Sequence, residues 1–272
     1  MAESEKVRVT LGGRQVWCRI AGGGTPILIL QGWGGPTDAY FLLQDMLAAR
    51  GYAVALPDLP GLPGKTESVF MPLDSWSDWI DELAAVTIDR PFVLVAHSLS
   101  ARIALQYLAK HGSHCLRCIL VDPWLVSSSF QSVSYRLVAR IVRRLCPVVY
   151  PEMKWVLDGR AWASALNLFA AVKDRPTIPC LVLFGKRDVA RVLFKGWKLI
   201  KCESGQYDWG HSPQVTAVSQ LAVIIDEFVR KAPAAAADIE PSQPKASSNR
   251  AVTWPLAGSS ARRHRPSVAG HT

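Results

Sequence analysis

The sequence predicts an α/β fold in which a mostly parallel, eight-stranded sheet is covered by helices on both faces. Three observations support this fold class. Eight short runs rich in β-branched and apolar residues have the length of strands. Amphipathic stretches with a helical period separate several of these runs. The runs are apolar throughout instead of alternating with polar residues, which is typical of strands buried between two layers of helices.

The predicted strands are, in chain order, VRVTL (7–11), QVWCRIA (15–21), PILIL (26–30), AVALPDL (53–59), FVLVAHS (92–98), CILVD (118–122), PCLVLFG (179–185) and KLIKC (198–202). Amphipathic helices are predicted for residues 38–50, 74–87 and 99–110. Residues 125–178 interrupt the alternation of strands and helices. We expect a helical insertion above the sheet there, with residues 135–149 as its clearest helix.

The chain has 272 residues, of which 49% are hydrophobic and 19% are charged. This is enough for one sizeable core, so we expect one domain over residues 1–231. Residues 232–272 are rich in Ala, Pro and Ser without an apolar period, which predicts a disordered basic tail. The net charge of +9 is unevenly placed: residues 125–178 hold eight Lys and Arg against three Asp and Glu, and the tail holds five against two.

Two classes of partner receive no support from the sequence. The basic residues are concentrated in the insertion and the tail, and no recognition motif for DNA or RNA is present, so we expect no nucleic-acid partner. The start of the chain lacks the apolar segment of a signal peptide, and no apolar run reaches the roughly 18 residues that a membrane span needs. We therefore expect a soluble protein that is not exported.

The six cysteines lie mostly in apolar segments, where a cysteine acts as a small buried hydrophobe. We expect reduced thiols and a cytoplasmic location. Cys115 and Cys118 form a lone C-x-x-C pair, but no second pair follows. If the segment is a strand, their side chains point to opposite faces of the sheet. We therefore expect no metal site.

Four predicted strands are followed by turns that carry reactive or glycine-rich residues. The turns are QGWGG (31–35), HS (97–98), KRD (186–188) and YDWGH (207–211). In an open parallel sheet, ligands bind at the carboxyl ends of the strands. The sequence therefore predicts that the chemistry of this protein belongs to these turns.

The turns supply the residue types of a nucleophilic serine mechanism. A serine hydroxyl becomes a good nucleophile when a base takes its proton and a third group orients that base. Ser98, Asp188 and His211 provide these groups in the chain order Ser, Asp, His. His211 is the predicted base, because no other histidine lies between Asp188 and the tail. Asp188 is the first choice for the acid, followed by Asp122 and then Asp208.

Acyl transfer also requires hydrogen-bond donors for the oxyanion that develops in the transition state. The residue after a nucleophile on a sharp turn offers its backbone N–H, and here that residue is Leu99. A second N–H is expected from Trp33 in the glycine-rich turn. His97 receives no chemical role, because a neighbour of the nucleophile on a tight turn points elsewhere.

Together these features resemble the α/β-hydrolase family, in which a small-x-Ser-x-small elbow joins a strand to a helix. The resemblance extends over residues 7–231. It is carried by GWGG (32–35), PDLPGLPGKT (57–66), the elbow AHSLS (96–100), LFGKRD (183–188) and WGHSPQ (209–214). The chain departs from the family pattern at Ala96 and Ser100, which replace the two elbow glycines, and at Gln31, which replaces a histidine. The stretch after Asp188 is also short for the helix that the family places there.

The resemblance implies a serine hydrolase with a helical lid at residues 125–178, which cleaves an ester or related acyl bond through an acyl-enzyme on Ser98. It implies no metal and no organic cofactor. Perhydrolase activity and hydrolysis of a carbon–carbon bond in a diketone stay open, whereas aspartate-nucleophile chemistry is disfavoured by the serine of the elbow. The alternative from another class is a receptor or scaffold that keeps the pocket and has lost turnover.

Two sets of residues in or near the insertion bear on the substrate and on partners. An apolar roof over the pocket, and hence a small hydrophobic substrate, is predicted from Trp124, Trp155, Trp162 and Phe169. Arginines recur at helical spacing beside apolar residues at Arg136, Arg140, Arg143 and Arg144. The favoured interpretation of these arginines is the solvated face of a lid helix. The alternative is weak docking on an anionic membrane surface.

Overall fold

The computed structural model describes residues 4–32, 36–60, 71–125, 176–188 and 202–231, together with residues 191, 198 and 200. In this part of the chain, the strands are β1 Ser4–Leu11, β2 Arg14–Ala21, β3 Thr25–Leu30, β4 Tyr52–Pro57, β5 Phe92–His97, β6 Cys115–Val121, β7 Cys180–Gly185 and β8 Glu203–Tyr207. The α-helices are α1 Phe41–Ala48, α2 Leu73–Thr87, α3 Ser100–His111, α4 Pro213–Thr216 and α5 Val218–Arg230. Short 3-10 segments occupy Thr37–Tyr40 and Gly112–His114.

The eight strands form one sheet in the order β1-β2-β4-β3-β5-β6-β7-β8. β2 pairs with β1 and β4 in antiparallel directions, whereas all the neighbours from β4 to β8 are parallel. β1 and β2 are joined by Gly12 and Gly13, which both have positive φ, as a tight hairpin turn requires. The carboxyl ends of the parallel strands therefore share one edge of the sheet.

Alternate residues of the central strands enter two separate cores. In β3, Leu28 and Leu30 pack in the core with α2 and α3, whereas Ile27 and Ile29 pack in the core with α1 and α5. All four side chains are buried. Burial of one such side chain contributes about 1.5–3 kcal/mol, so two-sided burial stabilises the sheet strongly. The predicted fold class, a mostly parallel eight-stranded sheet with helices on both faces, is confirmed.

α2 illustrates why these segments are helical. Trp76, Ile80 and Leu83 are spaced four and three residues apart, which places them on one face of a helix, and all three are fully buried. The helix ends at Thr87, and Asp89 then adopts a left-handed φ of +57°. A left-handed residue directly after the last turn is a common way to stop a helix.

The predicted eighth strand at residues 198–202 is wrong. The strand that pairs with β7 is β8, whose sequence ESGQY is polar and whose residues are exposed or half-buried. β8 is the last strand in the described sheet, so it has little core to contact. The apolar residues that precede it pack against the core without pairing in the sheet, as Ile200 and Cys202 do. Apolar content therefore identified the wrong segment.

Several predictions concern residues outside the described ranges. The insertion lies outside them from residue 126 to residue 175, and so does the tail at 232–272. The domain bounds, most of the apolar roof and the contact of the four arginines with an anionic membrane therefore stay predictions. Among the helices described, none combines the length and the apolar composition required for a bilayer span.

Tyr107, in α3, carries a buried hydroxyl. The side chain is fully buried, and its ring lies 5.9 Å from the ring of Phe92. No hydrogen-bond partner of the Tyr107 hydroxyl is found in the described part of the chain. A hydroxyl buried without a partner costs about 1–3 kcal/mol of stability.

Tyr107→Phe is therefore expected to raise the free energy of unfolding by about 1 kcal/mol, because it removes the uncompensated hydroxyl and keeps the ring. Urea unfolding measures the change. Tyr52→Phe is the matched control: the Tyr52 hydroxyl donates to Asp226 over 2.6 Å, so its loss is expected to lower stability by about 1 kcal/mol. Equal destabilisation by both substitutions would contradict the assignment of an unpaired hydroxyl to Tyr107.

Candidate active site

Ser98 lies on a sharp turn between β5 and α3. Its φ is +57°, a left-handed conformation that is uncommon and unfavourable for a residue with a side chain. Two hydrogen bonds hold the turn: the N–H of Ser98 donates to the Val121 carbonyl over 2.8 Å, and the N–H of Trp124 donates to the Ser98 carbonyl over 3.1 Å. The end of β6 therefore fixes the backbone from which the Ser98 hydroxyl projects.

His211 lies between Ser98 and Asp188. Its Nε2 atom is 2.8 Å from Ser98 Oγ, and its Nδ1 atom is 2.9 Å from Asp188 Oδ2. A carboxylate only accepts hydrogen bonds, so the Nδ1–H of His211 donates to Asp188. Nε2 then carries a lone pair and accepts the hydrogen bond of the Ser98 hydroxyl. Each of the three residues is 3% exposed, so this chain of hydrogen bonds is shielded from solvent.

The turns that carry Asp188 and His211 are bonded to each other. The N–H of Arg187 donates to the Trp209 carbonyl over 3.1 Å. A Cβ atom on Gly185 would lie 2.5 Å from the same carbonyl oxygen, so only glycine fits at that position. This close approach of two backbones fixes the separation between the predicted acid and the predicted base.

Asp122 accepts hydrogen bonds from groups other than His211. One carboxyl oxygen accepts the N–H of Gly185 over 2.6 Å, and the other accepts the indole N–H of Trp209 over 3.1 Å. Gly185 begins the turn that leads to Asp188, and Trp209 belongs to the turn that leads to His211. Burial raises the pKa of Asp122 from 3.8 to about 7. Asp122 therefore ties both turns to the end of β6.

The remaining predicted site residues are Asp208, Leu99 and Trp33. Asp208, the third choice for the acid, is exposed and forms an ion pair with Arg187 at 3.3 Å. Leu99 directly follows Ser98, is buried and has helical backbone angles. Trp33 lies outside the described residues, so the second oxyanion donor stays a prediction.

The residues that replace the elbow glycines fit the crowded turn. Ala96 is fully buried within β5. Ser100 is also fully buried, and its hydroxyl donates to the backbone carbonyl of Gln31 over 2.6 Å. The Gln31 side chain is buried as well, with its amide 2.8 Å from the carbonyl oxygen of Pro57. Ser100 thus adds a bond between the elbow and the turn after β3, which a glycine would lack.

Sequence patterns give no role to two residues beside the site, His97 and Tyr40. His97 is buried, and both of its ring nitrogens are engaged: Nδ1 lies 2.6 Å from the Tyr40 hydroxyl, and Nε2 lies 2.6 Å from the backbone carbonyl oxygen of His211. Both partners of the His97 ring are groups other than Ser98, and one of them is the backbone of the predicted base. No sequence signal marks Tyr40, which ends a 3-10 segment.

No cluster of three or more His, Cys, Asp or Glu in the described ranges has the arrangement of a metal site. Cys115 and Cys118 are buried in the same core, contrary to the expectation that they face opposite ways. The reason is a register shift, since Phe92 pairs with Cys115 while Val93 pairs with Arg117. One extra residue in β6 reverses the alternation between the two cysteines.

Comparison with known proteins identifies the fold. A family model described as "alpha/beta hydrolase fold" matches residues 25–144. Over 110 residues, the chain is 29% identical to the (lyso)-N-acylphosphatidylethanolamine lipase of Mus musculus. That match covers 37% of this chain and 30% of the lipase, so the chain spans less than a third of the length of this relative.

Solved structures of similar fold cover most of the chain. An esterase from Exiguobacterium antarcticum has a TM-score of 0.69 and 16% identity, over 83% of this chain and 100% of that one. The thioesterase domain from the curacin biosynthetic pathway has a TM-score of 0.64 and 18% identity, over 83% and 99%. An epoxide hydrolase from Vigna radiata has a TM-score of 0.64 and 15% identity, over 85% and 99%. At these identities the likeness shows the fold alone.

The raised pKa of Asp122 predicts a pH dependence of stability. Between about pH 4 and pH 7 the unfolded chain has lost the proton of Asp122 and the folded chain keeps it, so this group makes stability fall as the pH rises. In Asp122→Asn the side chain is neutral at every pH, so the variant lacks this fall in stability. The free energy of unfolding of the variant, relative to the parent, is therefore expected to rise between pH 5 and pH 7 by on the order of 2 kcal/mol.

Urea unfolding at half-unit steps between pH 5 and pH 7.5 measures this difference. Asp208→Asn is the matched control, because it makes the same substitution at an exposed carboxyl outside the hydrogen bonds to Gly185 and Trp209, and the rise is expected in Asp122→Asn alone. A flat difference for Asp122→Asn would show that Asp122 is already ionised in the folded protein at pH 5.

Proposed function

Because the chain has the α/β-hydrolase fold, we propose that it is a serine hydrolase that cleaves an ester or related acyl bond of a small hydrophobic substrate. The observation that carries the proposal is the continuous chain of hydrogen bonds from Asp188 through His211 to Ser98. Each group in it has the donor or acceptor role that nucleophilic catalysis by serine requires. Nucleophile, base and oxyanion donors are all protein groups, so the proposal includes no cofactor.

In the first half of the reaction, Ser98 Oγ attacks the acyl carbon and its proton passes to Nε2 of His211. Asp188 stabilises the imidazolium that forms, since it already accepts the Nδ1–H. The oxyanion of the tetrahedral intermediate is held by the N–H of Leu99 and, in this proposal, by the N–H of Trp33. When the intermediate collapses, the bond to the leaving group breaks and Nε2 returns the proton to the leaving alcohol or thiol.

In the second half, water replaces the leaving group. His211 takes a proton from the water as its oxygen attacks the acyl carbon of the acyl-enzyme. The second tetrahedral intermediate collapses by breaking the bond to Ser98 Oγ, which receives the proton back from Nε2. The products are a carboxylic acid and the free enzyme, so atoms and charges balance over the cycle.

The hydrophobic character of the substrate is inferred from Trp124. Its ring lies 5.0 Å from the ring of His211, and the side chain is buried. A large apolar ring beside the base favours an apolar substrate group in contact with it. The names of the mouse lipase and of the Exiguobacterium esterase agree with acyl-bond hydrolysis.

Other reactions on this fold are weaker candidates. Epoxide opening, which the name of the Vigna radiata structure states, is disfavoured because that chemistry requires a carboxylate where this elbow carries Ser98. A perhydrolase or a carbon–carbon hydrolase would use the same serine and histidine. The choice among these depends on substrate screening.

A receptor that keeps the pocket without turnover is the rival proposal. It rests on the departures from the family pattern at Ala96, Ser100 and Gln31. The hydrogen bond from Ser100 to Gln31 argues against it, because it preserves the contact between the elbow and the neighbouring turn. The hydrolase is therefore the preferred proposal.

We also propose that the protein works in the cytoplasm. The five cysteines in the described ranges are free thiols, and four of them are buried. Free thiols persist in a reducing compartment, where disulfides are rare.

A fluorophosphonate probe is expected to label Ser98, because an activated serine attacks the phosphorus as it attacks an acyl carbon. Mass spectrometry of the digested protein locates the modified peptide. Ser98→Ala is expected to abolish labelling, and His211→Ala to reduce both labelling and hydrolysis of short acyl esters by at least 10³-fold. Folded parent protein that takes no label and hydrolyses no ester would refute the hydrolase and favour the receptor.

Substitution of the two aspartates separates the acid from the residue that ties the turns. Asp188→Asn is expected to lower kcat for an acyl ester by roughly 10⁴-fold, because the amide no longer holds His211 in the Nδ1–H tautomer. Asp122→Asn is the matched control, with an expected loss of about tenfold or less, because Asp122 contacts Gly185 and Trp209 instead of the base. The opposite order of the two kcat values would identify Asp122 as the acid.

A further inference from the structure

We propose that Tyr40 and His97 form a positioning relay that holds the backbone of His211 and joins it to the turn after β3. The inference rests on the proposed function, since it assigns these residues a part in the same reaction. Neither residue needs to touch the substrate. His97 acts on the base through its hydrogen bond to the backbone carbonyl of His211.

The direction of every hydrogen bond in the relay follows from its two ends. At one end the N–H of Gly32 donates to the Tyr40 hydroxyl over 2.7 Å. At the other end the carbonyl of His211 only accepts, so Nε2 of His97 carries a proton and donates it over 2.6 Å. In a neutral ring Nδ1 then accepts, and the hydroxyl of Tyr40 donates to it over 2.6 Å.

The relay is consistent only with a neutral His97. A protonated ring would donate from both nitrogens, and the Tyr40 hydroxyl would then face two donors without an acceptor for its own proton. Burial lowers the pKa of His97 from 6.5 to about 3, and the neighbouring His211 acts in the same direction. Among the described residues, the titratable groups that face His97 are Tyr40, His211 and, through its charge, Asp188.

The relay joins three strand ends, which carry the predicted oxyanion donor, the nucleophile and the base. Gly32 directly precedes Trp33, the predicted oxyanion donor, and His97 directly precedes Ser98. His211 follows β8. From the end of β5, the His97 ring thus reaches the turn after β3 through the Tyr40 hydroxyl and bonds directly to the segment after β8.

The fit of the relay is tight. A Cβ atom on Gly32 would lie 2.5 Å from Nδ1 of His97, so the turn can approach the ring only with glycine at this position. The rings of His97 and His211 have centroids 4.9 Å apart. A shift of His97 would therefore move the backbone of the base, and with it the 2.8 Å contact between Nε2 and Ser98 Oγ.

Substitutions at His97 break the relay one bond at a time. In His97→Asn the side-chain oxygen takes the place of Nδ1 and keeps the bond from Tyr40, but no donor reaches His211. In His97→Gln the side-chain N–H takes the place of Nε2–H and keeps the bond to His211. We expect kcat for an acyl ester to fall about tenfold in His97→Asn and about two- to threefold in His97→Gln, with KM within twofold of the parent.

Tyr40→Phe tests the relay without changing its shape, and it serves if the His97 variants do not fold. It removes the donor to His97 and the acceptor for Gly32, and the expected fall in kcat is about fivefold at nearly constant KM. Tyr52→Phe is the matched control, because its hydroxyl bonds to Asp226 on another part of the fold, and kcat is expected to be unchanged. Equal kcat in both tyrosine variants and the parent would overturn the relay.

A second measurement is independent of turnover. Long-range ¹H–¹⁵N spectra of protein labelled at its histidines, assigned with His97→Asn, report the tautomer of each ring. His97 is expected to remain the neutral Nε2–H tautomer from pH 5 to pH 8, and Tyr40→Phe is expected to shift the ring signals of His211. Titration of His97 in this range, or an Nδ1–H tautomer, would overturn the relay even if the protein hydrolyses esters. The expected spectra from a protein without hydrolase activity would keep the relay and refute the proposed function.

Discussion

The left-handed backbone of Ser98 is the constraint on which the rest of the site depends. A φ of +57° is unfavourable for a residue with a Cβ, so neighbouring groups must hold it. They do so through the carbonyl of Val121 and the N–H of Trp124, which lie at and beyond the end of β6. The position of the nucleophile is therefore set by the register of two central parallel strands, each buried on both faces. A shift in the pairing of β5 and β6 would therefore move Ser98 even if every residue of the site stayed the same.

The backbone of the turns around Ser98 is closely packed. The turn after β3 approaches His97 closely enough to exclude a Cβ at Gly32, and the two turns that carry the acid and the base exclude one at Gly185. Ser100 shows that an elbow of this kind tolerates a small polar residue in place of glycine when its hydroxyl finds an acceptor, here the carbonyl of Gln31.

The order of strands along the sequence predicts which turns lie together at the site, but it does not predict contacts between side chains that are distant in sequence. The carboxyl ends of parallel strands meet at one edge, so Ser98, Asp188 and His211 were expected together. β8 was misplaced because an outer strand needs no apolar run. The contacts of Asp122 with the Gly185 N–H and the Trp209 indole, and that of Tyr40 with His97, join residues distant in sequence, and no local pattern of residues predicts such pairs.

A second histidine beside the base is compatible with the proposed chemistry only if it stays uncharged. His211 must become a cation in each half of the cycle, and the ring of His97 lies 4.9 Å away. Two unit charges at that separation repel by about 3 kcal/mol at an effective dielectric constant of about 20, which would oppose proton transfer from the serine. Tyr40 removes this penalty by donating to Nδ1, because a ring that must accept there cannot also carry a second proton. The Tyr40 hydroxyl is itself oriented by the hydrogen bond that it accepts from the N–H of Gly32. A backbone group of the turn after β3 thus helps to keep His97 neutral.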